Sequence, residues 1–411
     1  MMKTVHISTG ITGGGAGIAA LRLHRSLMKH ADIQSEFVQR FPVDPEFAAI
    51  NNIYTANTGR SFMIRALKRY NLHAEHFHRV KLNKYPPNYE IATFATTSYR
   101  LEQLPIIKEA DIIHLHWVSE FLNYPTFFKN VKQPVVWTLH DINPFAGMFH
   151  FESDRLKNMD TYKKPDEQTR KIKTRSINRK DNIHIVCLSE WMKKKSEASE
   201  ALGRYPHYLI PNGLDLSDYP VMDKTAAKQK AGVNCGLKTF IIVGAQLGNI
   251  QKGFPLFFDT VNKMNRSDFQ LISIGRLPDN LKVGNNINHI HFEKITEIPE
   301  LNSLYSAADL TIIPSLEDNL PNVMLESFAN GVPVMSFSNG GMAEHVKTGE
   351  NGIRINETGV KPLMQSLEDF LDNKYAFDSK AIRDYAVNTF SDTLQTERYI
   401  RLYKDISNNK R

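Results

Sequence analysis

The sequence predicts an α/β protein with two doubly wound domains, each built on a parallel sheet that helices cover. Short apolar stretches that suit buried strands alternate with segments of helical character through both halves of the chain. A glycine-rich turn at residues 9–17 joins the first strand to a helix, as expected for a doubly wound fold. The 411 residues suffice for two domains with complete cores.

The composition is that of a globular protein, with 41% hydrophobic and 23% charged residues. The first residues lack the apolar segment of a signal peptide, and no run of about 18 apolar residues is long enough to span a membrane. Two cysteines, Cys187 and Cys235, cannot form a disulfide framework. We therefore expect a cytoplasmic protein, and the net charge of +7 suits anionic partners such as nucleoside diphosphates, acidic lipids or nucleic acid.

Two predicted strands in the first half of the chain end in histidine. Residues 111–117 end in His116-Trp117, and residues 134–141 end in His140-Asp141. The carboxyl ends of parallel strands form the edge at which ligands bind. A single histidine is more often structural, but its place at a strand end makes His140 a candidate site residue, and Asp141 a candidate to orient its imidazole.

A glycine-rich loop at residues 244–254 follows a buried strand in the second half and contains Lys252. A lysine in such a loop is suited to binding phosphate, because the backbone amides and the ammonium group both carry positive charge. The alternative is a lysine that is simply exposed on the surface.

The segment 310–346 predicts a strand, a polar loop, a helix, a second strand and a Gly-Gly turn, in that order. Pro321 suits the start of the helix, and Gly331 suits its end. The amides of Asn322 and Val323 lie in the first helical turn, where N–H groups without intrahelical partners and the helix dipole favour a phosphate.

Two carboxylates flank this helix start. Glu326 lies one turn further along and can accept two hydrogen bonds from a vicinal diol such as a ribose, whereas Asp318, eight positions earlier, can reach a second polyol. Taken alone, Glu326 would be an ordinary exposed helix residue. The combination of the two acids with the proline, both strands and the Gly-Gly turn favours a binding role.

This segment resembles the nucleotide-sugar signature of retaining glycosyltransferases with the GT-B fold, of the family 4 type. The matching features are two acids separated by seven positions, a Gly-x-Pro-Val sequence and a Gly-Gly-x-x-Glu turn, which here are Asp318, Glu326, residues 331–334 and residues 340–344. The chain departs from the family in three places. Asp318, with Glu317 before it, replaces the usual glutamate, and either carboxylate could take the role of the first acid. Asn319-Leu320-Pro321 replaces Gly-Phe-Gly, and Ala245-Gln246 lie where the family has an arginine.

The resemblance implies two Rossmann-like domains that face a cleft, with a carboxyl-terminal helix that crosses back to the first domain. We expect an acceptor-side domain at residues 1–206, joined by residues from about 390 to 411, and a nucleotide-sugar domain at residues 207–389. The implied reaction moves a sugar from a nucleoside diphosphate sugar to an acceptor hydroxyl with retention, in surface polysaccharide or glycolipid synthesis. It implies no metal and no cofactor beyond the donor substrate.

The resemblance also assigns roles to individual residues. Gly14 and Gly15 would face the donor phosphates, and Lys252 with the amides of Asn322 and Val323 would hold the diphosphate. Glu326 would bind the ribose, while Glu317 or Asp318 would contact the sugar. His140 would hydrogen-bond beside the donor sugar. His140, Lys252 and Asp318 are therefore the expected catalytic residues.

Two basic stretches, residues 60–84 and 163–180, interleave lysine and arginine with apolar residues. They indicate either solvated helical faces or a patch that contacts an anionic membrane surface, where a lipid-linked glycan acceptor would lie. Arg170, Lys171, Lys173 and Arg175 are the predicted contacts of the second stretch.

The alternative function is a nucleotide-sugar-binding protein without turnover. Nucleic-acid binding is disfavoured because no recognised module is present. A dinucleotide oxidoreductase is disfavoured because the glycine spacing is wrong.

Overall fold

The computed structural model describes residues 1–11, 14–57, 69, 73–86 and 89–408. The chain divides into two compact units, one formed by Met1–Asn212 with Gln395–Arg411 and the other by Gly213–Leu394. The sequence placed these boundaries near 206/207 and 389/390. Each unit contains one parallel sheet with helices, so the predicted α/β class is confirmed, and the last residues return to the first unit.

The first unit has a seven-stranded sheet of order β3-β2-β1-β4-β5-β6-β7, in which every neighbouring pair is parallel. Its strands are β1 Met2–Ile7, β2 Ile33–Gln39, β3 Ile53–Thr55, β4 Ile112–Leu115, β5 Val135–Leu139, β6 Ile183–Cys187 and β7 His207–Leu209. The chain reverses its direction of progress between β1 and β4, so the loops that follow these two strands meet at a topological switch point.

The described helices of the first unit are Gly15–Met28, Pro45–Ile50, Ala74–Lys81, Pro105–Lys108, Tyr124–Asn130, Glu152–Ile177, Glu190–Glu197 and Asp392–Asn408, with a 3-10 turn at Leu101–Gln103. Both faces of the sheet are buried. Alternate strand residues such as Val5 and Trp137 join one apolar core, whereas Ile112 and Val136 pack with Tyr403 of the last helix on the opposite face.

The second unit has a six-stranded parallel sheet of order β10-β9-β8-β11-β12-β13. Its strands are β8 Lys238–Gln246, β9 Phe269–Arg276, β10 Asn288–Phe292, β11 Leu310–Ile313, β12 Val334–Phe337 and β13 Gly352–Ile355. Its helices are Lys224–Lys230, Phe254–Lys263, Ile298–Ala307, Asn322–Ala329, Met342–His345, Val360–Leu371 and Ser379–Phe390, with a 3-10 turn at Leu216–Asp218. The switch point of this sheet lies between β8 and β11.

The carboxyl-terminal segment is helical but interrupted. It forms two helices that are interrupted at Ser391, where the backbone makes a bridge with Leu214. The Leu214 N–H donates to the Phe390 carbonyl at 2.8 Å, and the Asp392 N–H donates to the Leu214 carbonyl at 3.0 Å. These two bonds engage backbone groups that a continuous helix would pair internally.

The two basic stretches have different outcomes. In the first, residues 60–68 and 70–72 lie outside the described residues, and the described helix Ala74–Lys81 has no buried residue. The second lies mostly on the helix Glu152–Ile177, where Lys171 and Arg175 are exposed. Lys173 is only 1% exposed, so its assignment to a surface patch was wrong. In the part of the chain that the structure describes, no helix combines the length and apolar character needed to cross a membrane.

Candidate functional site

The loops after β8 and β11 meet at the switch point of the second sheet. The Leu316 N–H donates to the Gln251 carbonyl at 2.9 Å, which ties the two loops together. Gly253 has a φ of +70°, and a Cβ atom there would lie 1.8 Å from the Pro314 carbonyl oxygen. This position therefore requires glycine for both conformation and space. The close approach places Lys252 against the acidic loop.

An ion pair connects the two loops. The Lys252 Nζ lies 2.7 Å from Oδ2 of Asp318, a residue that is 8% exposed. The Asn319 N–H donates to Oδ1 at 3.0 Å, and the Ser315 hydroxyl lies 3.4 Å from Oδ2. The Asp318 carboxylate is thus held by its own loop as well as by the lysine. The alternative that Lys252 is an unconnected surface lysine does not fit this geometry.

The Gly-Gly turn after β12 supports the acidic loop from behind. The Gly341 N–H donates to the Asp318 carbonyl at 3.0 Å. Gly340 has a φ of +66°, and a Cβ atom at this position would lie 1.9 Å from the same carbonyl oxygen. Glycine is required in this turn because its backbone lies directly against the backbone of the acidic loop.

The helix Asn322–Ala329 starts directly after Pro321, and in this part of the described chain no side chain caps its amino terminus. Glu326 on its second turn is 6% exposed, and the Tyr305 hydroxyl donates to its Oε2 at 3.1 Å. Glu326 is therefore a buried, hydrogen-bonded carboxylate rather than an ordinary exposed helix residue. Glu317 is buried as well, beside Asp318.

The structure also describes Ala245 and Gln246, which lie where the family has an arginine. Gln246 ends β8 and is paired in register with Arg276, the last residue of β9, whose side chain is exposed. The Leu247 N–H donates to the Arg276 carbonyl at 2.8 Å. The sequence pattern did not indicate Arg276, because it follows a different strand from the expected arginine.

The carboxyl edge of the first sheet carries the two histidines that the sequence placed at strand ends, His116 and His140. Residues that follow β4 and β5 line a small cavity of about 10 Å³, among them His116, Trp117, His140 and Asp141. This volume is near the minimum for one water molecule. Nε2 of His140 lies 3.5 Å from Nδ1 of His116, and burial lowers the pKa of His140 to about 4, although the Asp141 charge opposes this shift.

Asp141 has a different role from the predicted one. Its Oδ2 accepts from Trp117 Nε1 at 2.9 Å and lies 2.6 Å from Nδ1 of His150, while its Oδ1 accepts from the Asn143 N–H at 2.9 Å. Burial alone would raise the pKa of Asp141, but His150 and these hydrogen bonds hold it below its usual value. Both oxygens thus serve the loop that follows β5, and the prediction that Asp141 orients the His140 imidazole was wrong.

A buried lysine fixes the same loop. Lys173 Nζ donates to the Asn143 carbonyl at 2.6 Å, to the Asn143 side chain at 2.8 Å and to the Gly147 carbonyl at 2.9 Å. Burial lowers the pKa of Lys173 to about 7, although the charges of Asp141 and Asp166 oppose this shift. The signal for a buried position was the helical spacing shared by five buried residues, namely Tyr162, Asp166, Thr169, Lys173 and Ile177.

The sequence did not predict a cluster of three histidines in the first unit. His6, His114 and His116 place one nitrogen each within 4.8 Å of one another, and burial lowers the pKa of all three well below the usual value. His114 uses both nitrogens within the protein, since Tyr403 Oη lies 2.6 Å from Nδ1 and Thr138 Oγ1 lies 2.8 Å from Nε2. The signal was that His6 and His114 are register partners on adjacent strands. The expectation of a metal-free protein stays a prediction.

Gly14 and Gly15 lie at the amino terminus of the helix Gly15–Met28, on the loop that follows β1. A Cβ atom at Gly14 would meet nothing within 4 Å, whereas one at Gly17 would lie 2.0 Å from the Gly10 carbonyl oxygen. Close packing therefore requires glycine at position 17, whereas there is open space beside Gly14. Thr12 and Gly13 lie outside the described residues.

The comparisons with known proteins agree with this fold. Residues 238–373 match the family model described as glycosyl transferases group 1. The chain is 25% identical over 315 residues to the Escherichia coli UDP-Gal:alpha-D-GlcNAc-diphosphoundecaprenol alpha-1,3-galactosyltransferase, a match that covers 73% of this chain and 76% of the relative. It is 29% identical over 188 residues to the lipopolysaccharide core biosynthesis mannosyltransferase LpsB of Rhizobium meliloti, covering 41% of this chain and 52% of the relative.

Solved structures share the fold over nearly the whole chain. Sucrose-phosphate synthase from Thermosynechococcus elongatus has a TM-score of 0.71 at 15% identity, with 99% of each chain covered. Anabaena HepE in complex with UDP and glucose has a TM-score of 0.68 at 16% identity, with 98% of this chain and 100% of that chain covered. Most of the second unit is thus similar to the glycosyl transferases group 1, and the chain has the GT-B fold.

Proposed function

We propose that the protein is a retaining glycosyltransferase of the family 4 type that transfers a sugar from a nucleoside diphosphate sugar to an acceptor hydroxyl. One observation carries this proposal. Lys252 and Asp318 form an ion pair at the switch point of the second sheet, and the buried carboxylate of Glu326 lies on the helix Asn322–Ala329, which starts four residues after Asp318. A cation, a helix amino terminus and a buried acid are the groups that a sugar nucleotide needs there.

In this proposal the donor diphosphate takes the place of Asp318 as the partner of Lys252. The Lys252 ammonium moves from Asp318 to the diphosphate, whose remaining charge faces the amides of Asn322 and Val323. Asp318 or Glu317 is then available to hydrogen-bond the hydroxyls of the sugar. Gly14 and Gly15 would offer backbone N–H groups to the same phosphates.

Glu326 is suited to the ribose. Tyr305 donates to one of its oxygens, which orients the carboxylate, and a carboxylate can accept hydrogen bonds from two neighbouring hydroxyls. Arg276, which is exposed at the end of β9, is our candidate for the cation that the family places nearer Ala245 and Gln246.

The difficult step is the departure of the diphosphate, because negative charge grows on its oxygens. Lys252 and the helix dipole stabilise that charge more strongly as it develops, which lowers the barrier. The leaving phosphate takes the acceptor proton on the face where the acceptor attacks, so no side-chain nucleophile and no metal is required. His140 is neutral in the physiological pH range and would hydrogen-bond the donor sugar.

The acceptor is proposed to be a lipid-linked glycan in surface polysaccharide or glycolipid synthesis, at the cytoplasmic face of a membrane. The Escherichia coli relative is named for a diphosphoundecaprenol acceptor, and the Rhizobium relative for lipopolysaccharide. Exposed cations on the helix Glu152–Ile177, among them Lys163, Lys171 and Arg175, would contact the anionic surface. Sedimentation with acidic and neutral vesicles tests this contact. Binding to neither kind at low salt would favour a soluble acceptor.

The test of the proposed reaction is donor hydrolysis followed by nuclear magnetic resonance. The protein is incubated with α-linked sugar nucleotides of uridine, guanosine and adenosine. Retention predicts that the α-anomer of the sugar is released first from one of them, and Glu326→Ala should abolish the release. Release of the β-anomer would contradict retention. Binding of a sugar nucleotide without hydrolysis, or without transfer to any lipid-linked acceptor, would instead support the binding protein without turnover.

A further inference from the structure

The turn that supports the acidic loop begins with an asparagine followed by a glycine, Asn339-Gly340. Such a pair can modify itself, because glycine has no side chain to hinder the attack of its backbone nitrogen on the asparagine side chain. The chain contains four of these pairs, at residues 212–213, 330–331, 339–340 and 351–352. The structure distinguishes them by their burial and by the hydrogen bonds that hold the reacting groups.

The pair at 330–331 is held at each reacting group. The Ser306 hydroxyl donates to Oδ1 of Asn330 at 2.9 Å, and Nδ2 of Asn330 donates to the Glu326 carbonyl at 2.9 Å. The Gly331 N–H donates to the Phe328 carbonyl at 2.9 Å. Three hydrogen bonds must therefore break before the glycine nitrogen can reach the side-chain carbonyl carbon.

The pair at 351–352 is held in the same way. Oδ1 of Asn351 accepts from the Lys347 N–H at 2.8 Å, and its Nδ2 donates to the His345 carbonyl at 2.9 Å. The Gly352 N–H donates to the Lys347 carbonyl at 3.2 Å. This pair also loses three hydrogen bonds if it reacts.

The other two pairs differ in burial. Asn212 and Gly213 are both buried, so solvent base has little access to the glycine N–H proton that must be removed. Asn339 and Gly340 are half-buried, and Nδ2 of Asn339 donates to Thr358 Oγ1 at 3.0 Å. In the described parts of the chain no group accepts from the Gly340 N–H. The pair at 339–340 is therefore accessible to solvent and restrained by one hydrogen bond.

We propose that Asn339 is a modification site that converts to aspartate and isoaspartate without an enzyme. The Gly340 nitrogen loses its proton to solvent and bonds to the side-chain carbonyl carbon of Asn339. The bond from that carbon to the amide nitrogen breaks, and ammonia leaves. Water then opens the cyclic imide at either carbonyl, which gives a normal backbone or one that is longer by a methylene group. One water is consumed for each ammonia released, and nothing is oxidised or reduced.

The turn has no room for the longer backbone. A Cβ atom at Gly340 would lie 1.9 Å from the Asp318 carbonyl oxygen, and the Gly341 N–H donates to the same oxygen at 3.0 Å. Isoaspartate at position 339 inserts its methylene directly before these contacts, so we expect the turn to separate from the acidic loop and the melting temperature to fall. Asp318 pairs with Lys252, so nucleotide binding should weaken as well. This last effect rests on the proposed function, whereas the modification does not.

The test is peptide mapping by mass spectrometry of the full-length protein after ageing at mildly alkaline pH without ligand. Asn339 has two fewer hydrogen bonds to break than Asn330 or Asn351, and about a factor of five for each bond predicts roughly thirtyfold faster modification. The same chain unfolded in urea is the reference, since all four pairs are then free to react. Modification of another pair in the folded protein as fast as that of Asn339 would overturn the proposal. An Asn339 that stays intact when folded but reacts when unfolded would overturn it too.

Variants test the role of the turn. Thr358→Val removes the acceptor of the Asn339 amide and should speed the modification roughly fivefold, whereas Ser306→Ala loosens Asn330 and should leave the Asn339 rate unchanged. Asn339→Gln requires a larger ring, so it should stop both the modification and the fall in melting temperature on ageing. An equal fall in Asn339→Gln would overturn the structural effect. Titration of fresh and aged wild type with UDP, GDP and ADP is separate. Absence of binding by the fresh protein would count against the proposed function, while the peptide map still decides the modification.

Discussion

Replacing Asp318 with asparagine should tighten the binding of a free nucleoside diphosphate. The Lys252 ammonium is paired with this carboxylate at 2.7 Å, and a diphosphate must break that pair to reach the lysine. The lysine side chain is 33% exposed and that of Asp318 is 12% exposed, so the pair is partly screened by water and stabilises the unliganded state by about 1 kcal/mol. Losing this term corresponds to roughly fivefold tighter binding. Turnover should fall, because the sugar loses a charged hydrogen-bond acceptor.

Isothermal calorimetry with UDP, GDP and ADP on four proteins measures this effect. The wild type, Asp318→Asn, Lys252→Met and the double variant form a cycle that isolates the pair. The matched control is Asp259→Asn, which removes a carboxylate 2.7 Å from Lys263 on the exposed face of a helix and should leave affinity unchanged. Weaker diphosphate binding by Asp318→Asn than by wild type would refute the reasoning, because the carboxylate would then contribute to diphosphate binding.

Three further substitutions test other parts of the structure. Gly340→Ala places a Cβ atom 1.9 Å from the Asp318 carbonyl oxygen at a φ of +66°. It should lower the free energy of unfolding by at least about 2 kcal/mol and lower the melting temperature. An unchanged melting temperature would contradict this packing. Tyr305→Phe removes the donor to the buried Glu326 and should lower the free energy of unfolding in urea by about 1.5 kcal/mol, whereas no loss would show that the bond contributes nothing. Burial lowers the Lys173 pKa from 10.5 to about 7, so between these pH values the unfolded chain binds one more proton than the folded protein. The free energy of unfolding of the wild type should therefore rise with pH across this window. The same slope in Lys173→Met would exclude this lysine as the cause.

The strands and glycines of the second unit could be predicted because local constraints determine them. The structure has β11 at Leu310–Ile313, at the start of the segment 310–346 that was predicted to open with a strand, since an apolar run ended by a proline has few other conformations. Gly340 was predicted as part of a turn for the same reason. The contact it makes with Asp318 joins residues far apart in the sequence, and only the fold shows it.

Long-range pairing explains what the sequence did not predict. The partner of Lys252 lies 66 positions away, and the alternative of a surface lysine was open until the structure brought the two loops together. Asp141 was expected to orient His140 because the two are adjacent in sequence, but its stronger partners come from Trp117 and His150. Lys173 looked like one cation in a basic run, because charge counting ignores which side of a helix faces the core.

The central claim is that the second unit holds a nucleoside diphosphate through Glu326, and the most direct measurement is a calorimetric titration of the wild type and Glu326→Ala. We expect the wild type to bind one of UDP, GDP or ADP with a stoichiometry of one. The variant should remain folded and bind roughly tenfold more weakly or worse, because each hydrogen bond to a carboxylate contributes about 1.5–3 kcal/mol. Equal affinity in a folded Glu326→Ala protein, or no binding of any of the three nucleotides by the wild type, would contradict the claim.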